Sequence, residues 1–446
     1  MDFILAIVFL ILSLFYILKM FSDRNLISFQ VGVLSAFSIG YFCLPVIFKF
    51  RSNLNNINSF LIFESLLIFF LFFCFILLGV FFGKKIFEKK INGIQLLVLD
   101  SMFIKHRKLI VCFSTILLLY YYSTTNLTSY SSDDFEAFFH EDRGAFSALL
   151  AMFSKIALGF ITLSLAMAIK SKEKKNVFLF TFCFILSILP LFLLGQRLII
   201  LTPFIFIAVS FAVFNLWDFS KKFFITAILL LVLVSPFAVF VRESMTNPNI
   251  TISEVISNFD YGDSVVDEVF QSILDRGDLL FVTTKIKPVL DAEPFMGPTY
   301  YSSVIFNFIP KSLYPGGEKP YPLSPSGLAN DELSIKAWRE IHSQSTGSLT
   351  AFGGLFAYRE IGWFGVILNG FMTGIFFVLI YYLLGRSSIV LGPFYLLFFV
   401  ETVVKKVPAS FWESLLVLIP QLPIIFLLIL INSLVLPFFK KGHKVE

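Results

Sequence analysis

Residues 60–83 read FLIFESLLIFFLFFCFILLGVFFG, with Glu64 as the one charged side chain in the run. A helix rises about 1.5 Å per residue, so about 20 apolar residues of this kind cross the hydrocarbon of a bilayer. Working outward, ten more runs have the same character: 3–19, 26–48, 109–123, 146–169, 177–194, 198–216, 223–241, 360–384, 389–404 and 414–436. The expected fold class is all-α: a polytopic integral membrane protein of about 11 transmembrane helices with one long periplasmic loop. The first run lacks a basic start and a small-residue cleavage site, so it reads as a retained helix and not a signal peptide.

The bulk composition agrees. Of 446 residues, 57% are hydrophobic and 15% charged, and 60 are Phe. A soluble domain is nearer about 25% charged, and no aqueous fold could hide this much apolar surface. A soluble enzyme, a disordered tail and a disulfide scaffold are excluded. Cys43, Cys74, Cys112 and Cys183 all fall inside apolar runs and are expected to be reduced and buried. The net charge of +5 is too small to suggest nucleic acid as a partner.

Charge counting orients the bundle. The connections 19–24, 84–108, 170–175, 221–222, 386 and 440–444 hold 19 Lys and Arg, against seven on the other side: Lys49, Arg51, Arg143, Lys155, Arg197, Lys405 and Lys406. The richer set is expected in the cytoplasm. That places the N-terminus in the periplasm and the C-terminus in the cytoplasm. Three regions follow: 1–241, a bundle of about eight helices; 242–359, the long periplasmic loop; and 360–446, about three more helices. Within the loop, Ser253–Lys287 is amphipathic and predicted helical, with Pro288, Pro294 and Pro298 expected to break it. Pro310, Pro315, Gly316, Gly317, Pro320, Pro322, Pro325 and Gly327 make the following stretch turn or extended chain.

Little in the chain points to familiar soluble chemistry. Gly316-Gly317-Glu318-Lys319 lacks the spacing and the following hydroxyl of a phosphate-cradling loop, which argues against an ATP-driven pump. No His/Cys cluster has metal-ligand spacing, and the adjacent His140, Glu141 and Asp142 cannot share one helix face. The informative charges gather on the predicted outer side. Arg197 sits in Gly195-Gln196-Arg197, a short reversal between two apolar runs. It either snorkels to headgroups or faces an external cavity as an anion site, since burying it in lipid costs roughly 2.5 kcal/mol or more. Arg242, Arg276, Arg339 and Arg359 line the long loop or its ends, and a planar guanidinium suits a phosphate or diphosphate. Lys155 lies roughly 13 Å into its span. A charge that deep needs a cavity or a partner, and Glu64 and Glu401 are the candidate partners. His342 is the single His of the loop, in the polar stretch Arg339-Glu340-Ile341-His342-Ser343.

The layout resembles the Wzy-type polymerases of O-antigen or capsular oligosaccharide repeat units. The resemblance rests on Gly195-Gln196-Arg197, on the Arg-bearing outer loop with Asn307-Phe308-Ile309-Pro310, and most of all on a third region. There Ser345-Thr346-Gly347 leads through Gly353-Gly354 to Tyr358-Arg359-Glu360-Ile361-Gly362-Trp363-Phe364-Gly365, then Gly370 and Gly374. Such a resemblance implies a metal-independent glycosyltransferase of the inner membrane with no cofactor. Its donor and acceptor would be undecaprenyl-diphosphate-linked glycans, its surroundings membrane lipid, and a chain-length regulator protein a further partner. Arg197, Arg242, Arg276, Arg339, Arg359 and Lys155 would then bind the diphosphate or substrate. His342, Glu340 and Asp278 are the candidate bases for the acceptor hydroxyl. A ligase using the same donor and a flippase are the competing readings. The flippase would want charges at mid-membrane and repeated halves, whereas Lys155 is the one deep charge.

Overall fold

The structure, a computed structural model, describes residues 1–49, 52, 54–88, 94–124, 145–193, 197–226, 278–292, 295, 297, 353–386, 388–404 and 408–442. Among these there is no strand. The helices are α1 (Asp2–Ser22), α2 (Leu26–Ile47), α3 (Ser59–Phe87), α4 (Leu97–Thr124), α5 (Ala145–Lys170), α6 (Lys174–Leu193), α7 (Arg197–Val213), α8 (Asp278–Ala292), α9 (Gly353–Gly385), α10 (Gly392–Val404), α11 (Phe411–Leu418) and α12 (Leu422–Gly442). A further helical stretch covers 217–226. Among the described residues, six segments are long and apolar enough to cross a membrane: α1, α2, α3, Met152–Lys170 of α5, Gly353–Gly385, and Phe411–Leu436, which joins α11 to α12. Thr202–Val213 and Gly392–Val404 are apolar but shorter.

Polarity is arranged inside out. On α1, Phe3, Ile4, Ile11, Leu14, Phe15 and Leu18 face outward, and so do Phe178, Phe182, Ile185 and Leu189 on α6. Spacings of three and four residues put each set on one outward stripe. Ser13, Gln30, Ser65 and Thr373 point inward and are buried. An exposed apolar rim around an interior that holds hydroxyls suits lipid as the solvent. The chain is a multi-pass membrane protein.

The centre of the bundle is the crossing of α3 and α9. A Cβ on Gly79 would lie 2.1 Å from the Phe371 carbonyl, and one on Gly374 would lie 2.1 Å from the Ile76 carbonyl. Gly370 meets Phe72 and Gly83 meets Val378. Contacts therefore advance together along both chains, and the two helices run in the same direction. Two Gly-x-x-x-Gly stripes, 79/83 and 370/374, let the backbones touch. Around this crossing Phe side chains fill the gaps. Phe42 stacks on Phe69 with ring centroids 4.1 Å apart, and Phe9 meets Phe73 at 5.3 Å.

Hydrogen bonds sort the helix ends into two sets. At the first end, Lys49 reaches Asp2 at 3.8 Å and donates to Ser59 Oγ at 3.0 Å. At the second, Lys221 donates to the Phe21 carbonyl and Arg107 pairs with Glu173. Ser388 donates to Asp100 at 2.7 Å, and the Val98 amide donates to Asn432 at 3.1 Å.

Three expectations need correction. Pro288 does not end a helix: α8 runs through it to Ala292. The lost helical hydrogen bond is offset by burial along α8 of Leu280, Val282, Ile286 and Leu290. The connection 84–108 is not all loop, because α4 begins at Leu97 and carries Lys105, Arg107 and Lys108 as helix. Its first amides are capped by Asn432, borrowed from α12. Finally, all four cysteines are free thiols, but Cys112 is exposed and Cys74 half-buried. Apolar side chains on a lipid-facing stripe have no reason to turn inward. The run 223–241 beyond 226 and His140, Glu141 and Asp142 lie outside the described residues.

Candidate functional site

At the first end of the bundle α9 is broken. Ile361 (φ −145°, ψ 31°) and Gly362 (φ 62°, ψ −144°) leave the helical region, so Gly353–Glu360 is a short segment of its own ahead of the long span. A positive φ with strongly negative ψ is open to Gly and strained for other residues, which is why the break falls at Gly362. The segment carries Tyr358, Arg359 and Glu360.

One wall of the site is α8, which lies against α3. Lys287 projects from α8 with only 3% of its side chain exposed, 3.0 Å from Glu64 Oε2 of α3 and 2.6 Å from Asp291 Oδ2. Tyr358 donates its hydroxyl to Asp291 Oδ1 at 2.5 Å, and its ring lies 5.5 Å from the Lys287 ammonium. Phe295 and Trp363 meet the same ring edge-on at 6.5 and 5.3 Å. Beyond α8, the Gly297 amide donates to the Glu360 carbonyl at 2.9 Å, and Phe295 sits where a Gly362 Cβ would point. Glu360 itself is 1% exposed and accepts a hydrogen bond from Asn369.

The charges of this wall are consistent. Burial would lower the Lys287 pKa, but hydrogen bonds to Asp291 and Glu64 outweigh it and hold it above its ordinary value. Burial would raise Asp291, but hydrogen bonds from Lys287 and Tyr358 bring it below the usual carboxylate range. One buried ammonium between two carboxylates is a pairing that loses heavily if either kind of partner is removed.

The other wall comes from α5 and α10. Lys155 pairs with Glu401 at 2.9 Å, with 44% of the Lys155 side chain exposed. Glu401 lies in the wide π turn Val400–Val404. From there backbone contacts lead to the same short segment: the Ala409 amide donates to the Thr402 carbonyl at 2.8 Å, and the Gly353 amide donates to the Pro408 carbonyl at 3.2 Å. A Cβ at Gly353 would lie 2.3 Å from the Ser410 amide nitrogen, so this approach needs glycine. The turn that holds Glu401 is thus linked through 408–409 to Gly353, the start of the short segment.

Of the residues singled out from sequence, Arg359 is half-buried on that segment, and Lys155 finds Glu401 as its partner while Glu64 goes to Lys287. Arg197 and Asp278 are the first residues of α7 and α8. His342, Glu340, Arg242, Arg276 and Arg339 lie outside the described residues. Lys287 and Asp291 were not singled out. Their i,i+4 spacing is a signal of local pairing, but nothing local points to Glu64 or Tyr358. Among the described residues, no three His, Cys, Asp or Glu side chains are grouped to hold a metal. No family model, no curated protein and no solved structure matches the chain.

Proposed function

We propose that the chain is a polysaccharide polymerase of the bacterial inner membrane, joining undecaprenyl-diphosphate-linked repeat units into O-antigen or capsular chains at the periplasmic face. In this reading it has about 11 spans, a periplasmic N-terminus and a cytoplasmic C-terminus. The acceptor hydroxyl attacks the anomeric carbon of the donor glycan. A new glycosidic bond forms, the bond to the diphosphate breaks, and undecaprenyl diphosphate leaves carrying the electron pair. The hydroxyl proton passes to a base, for which His342, Glu340 and Asp278 are the proposed groups. Negative charge grows on the diphosphate as it departs, and Arg side chains fixed in place stabilise it without reorganising. Arg359 and Arg197 are assigned that role, with Arg242, Arg276, Arg339 and Lys155 contributing to the substrate surface. No metal or cofactor enters the scheme. A chain-length regulator is the proposed protein partner.

The observation that carries the reading is the placement of Arg359. It sits beside a helix break, at one end of a lipid-facing bundle, on a segment braced from two sides. In this reading the prenyl diphosphate headgroup lies at that level. Deleting the gene tests the reading. The cell is expected to keep exporting and attaching single repeat units while the long ladder disappears. Loss of the single unit as well would point to a flippase and overturn the polymerase. Restoring the gene with Arg359→Lys or Arg197→Lys keeps the charge and loses the two-pronged geometry. A lost charged hydrogen bond is worth about 1.5–3 kcal/mol, so the ladder should fall tenfold or more.

A further inference from the structure

We infer that Lys287 is a positioning residue: from the loop helix α8, through Asp291 and Tyr358, it fixes the backbone that presents Arg359 to an anionic, diphosphate-bearing lipid. The inference rests on the polymerase reading for the identity of the ligand. Its argument is geometric. Arg359 is flanked by Tyr358 and Glu360, and both are tied to the same stretch, 287–297. On one side the Tyr358 hydroxyl is bonded to Asp291, which is bonded to Lys287. On the other, the Glu360 carbonyl accepts the Gly297 amide. Lys287 also ties that stretch to the bundle, through Glu64 of α3 at 3.0 Å.

The chemistry of this tie explains why it can hold a position. An ammonium buried to 3% exposure between two carboxylates has no equivalent solvated alternative nearby, unlike a surface pair whose partners exchange freely with water. The Tyr358 ring is fixed as well as its hydroxyl, by Phe295, Trp363 and the ammonium. Phe295 also lies over Gly362, so the same stretch braces the far side of the helix break. Removing Lys287 leaves Glu64 and Asp291 without the cation they share and breaks the charged tie between α8 and α3. Arg359 then keeps its charge but loses its fixed place.

The test is binding of undecaprenyl diphosphate to the full-length protein in nanodiscs, by displacement of a fluorescent prenyl diphosphate. Lys287→Met and Tyr358→Phe are each expected to weaken binding about five- to tenfold, the size of coupling between contacting residues. Tyr358→Phe removes one oxygen and keeps the ring, so it folds even where Lys287→Met does not. Lys287→Arg should restore most of the affinity. In an Arg359→Ala background both changes should cost nothing further, because they act through Arg359. Additive losses in that background would make Lys287 merely structural and overturn the inference. Wild-type binding retained in full by Tyr358→Phe and Lys287→Met would overturn it alone. A wild-type protein that does not bind the probe would bring down the polymerase reading and this inference together.

Discussion

Gly362 is the single position on which the shape of the candidate site most depends. Its φ of +62° with ψ of −144° is a conformation that side chains avoid, and an added Cβ would stand 2.8 Å from the Phe295 ring. The ring edge can yield; the backbone cannot without moving Tyr358-Arg359-Glu360. Gly362→Ala is therefore expected to cost about 1–3 kcal/mol, read as a lower unfolding midpoint in detergent. An unchanged midpoint would mean that the break is not strained. Gly362 falls within the region from Ser345 to Gly374 on which the resemblance read from sequence most depends. What the sequence does not show is the other half of the site. Lys287 reads as part of the polar face of an amphipathic helix, and only docking on α3 turns it into a buried charge. Tyr358 and Asp291 are 67 positions apart, and no local spacing pairs them.

At the scale of helices, hydropathy and glycine spacing carry most of the information. Expected spans such as 3–19, 26–48 and 60–83 coincide with α1, α2 and α3 because a long apolar run has one favourable structure in lipid. Helix ends were harder, since their partners lie far away in the chain. α4 starts at Leu97 because Asn432, 334 positions from Val98, accepts its first amides. Pro288 looked like a terminator because the burial that carries α8 past it is a tertiary effect that no local spacing shows. The α3–α9 crossing gives a sharper test of how helices are held. Gly79→Ala and Gly374→Ala each place a methyl 2.1 Å from a backbone carbonyl of the partner helix. Neither carbonyl can swing aside as a side chain would. Each change should destabilise the protein by about 1–3 kcal/mol through overpacking. Gly40→Ala, where a Cβ meets nothing within 4 Å, is the matched control and should be near neutral. Equal thermal midpoints for all three would show that the crossing is not the tight contact described.

For the molecule as a whole, sidedness joins the charge pattern to the contacts. Contacts alone divide the helix ends into two sets, and the division agrees with the one made by counting Lys and Arg. Lys19, Lys221, Arg107 and Arg386 belong to the second end, where Lys221 reaches Phe21 and Arg107 reaches Glu173. Lys49 belongs to the first, beside Asp2 and Ser59. Because the ends are tied to one another, labelling two positions orients the whole bundle. Asn56 is exposed at the first end and Ser171 at the second. Each would be changed to Cys in a background from which all four native cysteines, including the exposed Cys112, have been removed. With an impermeant maleimide on intact spheroplasts, Asn56→Cys should label at once and Ser171→Cys only after the membrane is opened. The reverse pattern would leave the fold intact and invert the orientation, moving Arg359 and its brace to the cytoplasmic face and removing the site from periplasmic lipid-linked glycans. Labelling of both positions from one side would be more damaging. It would contradict the alternation of the helices themselves, because α3 leaves the end that holds Asn56 while α5 reaches Ser171 only after crossing to the other.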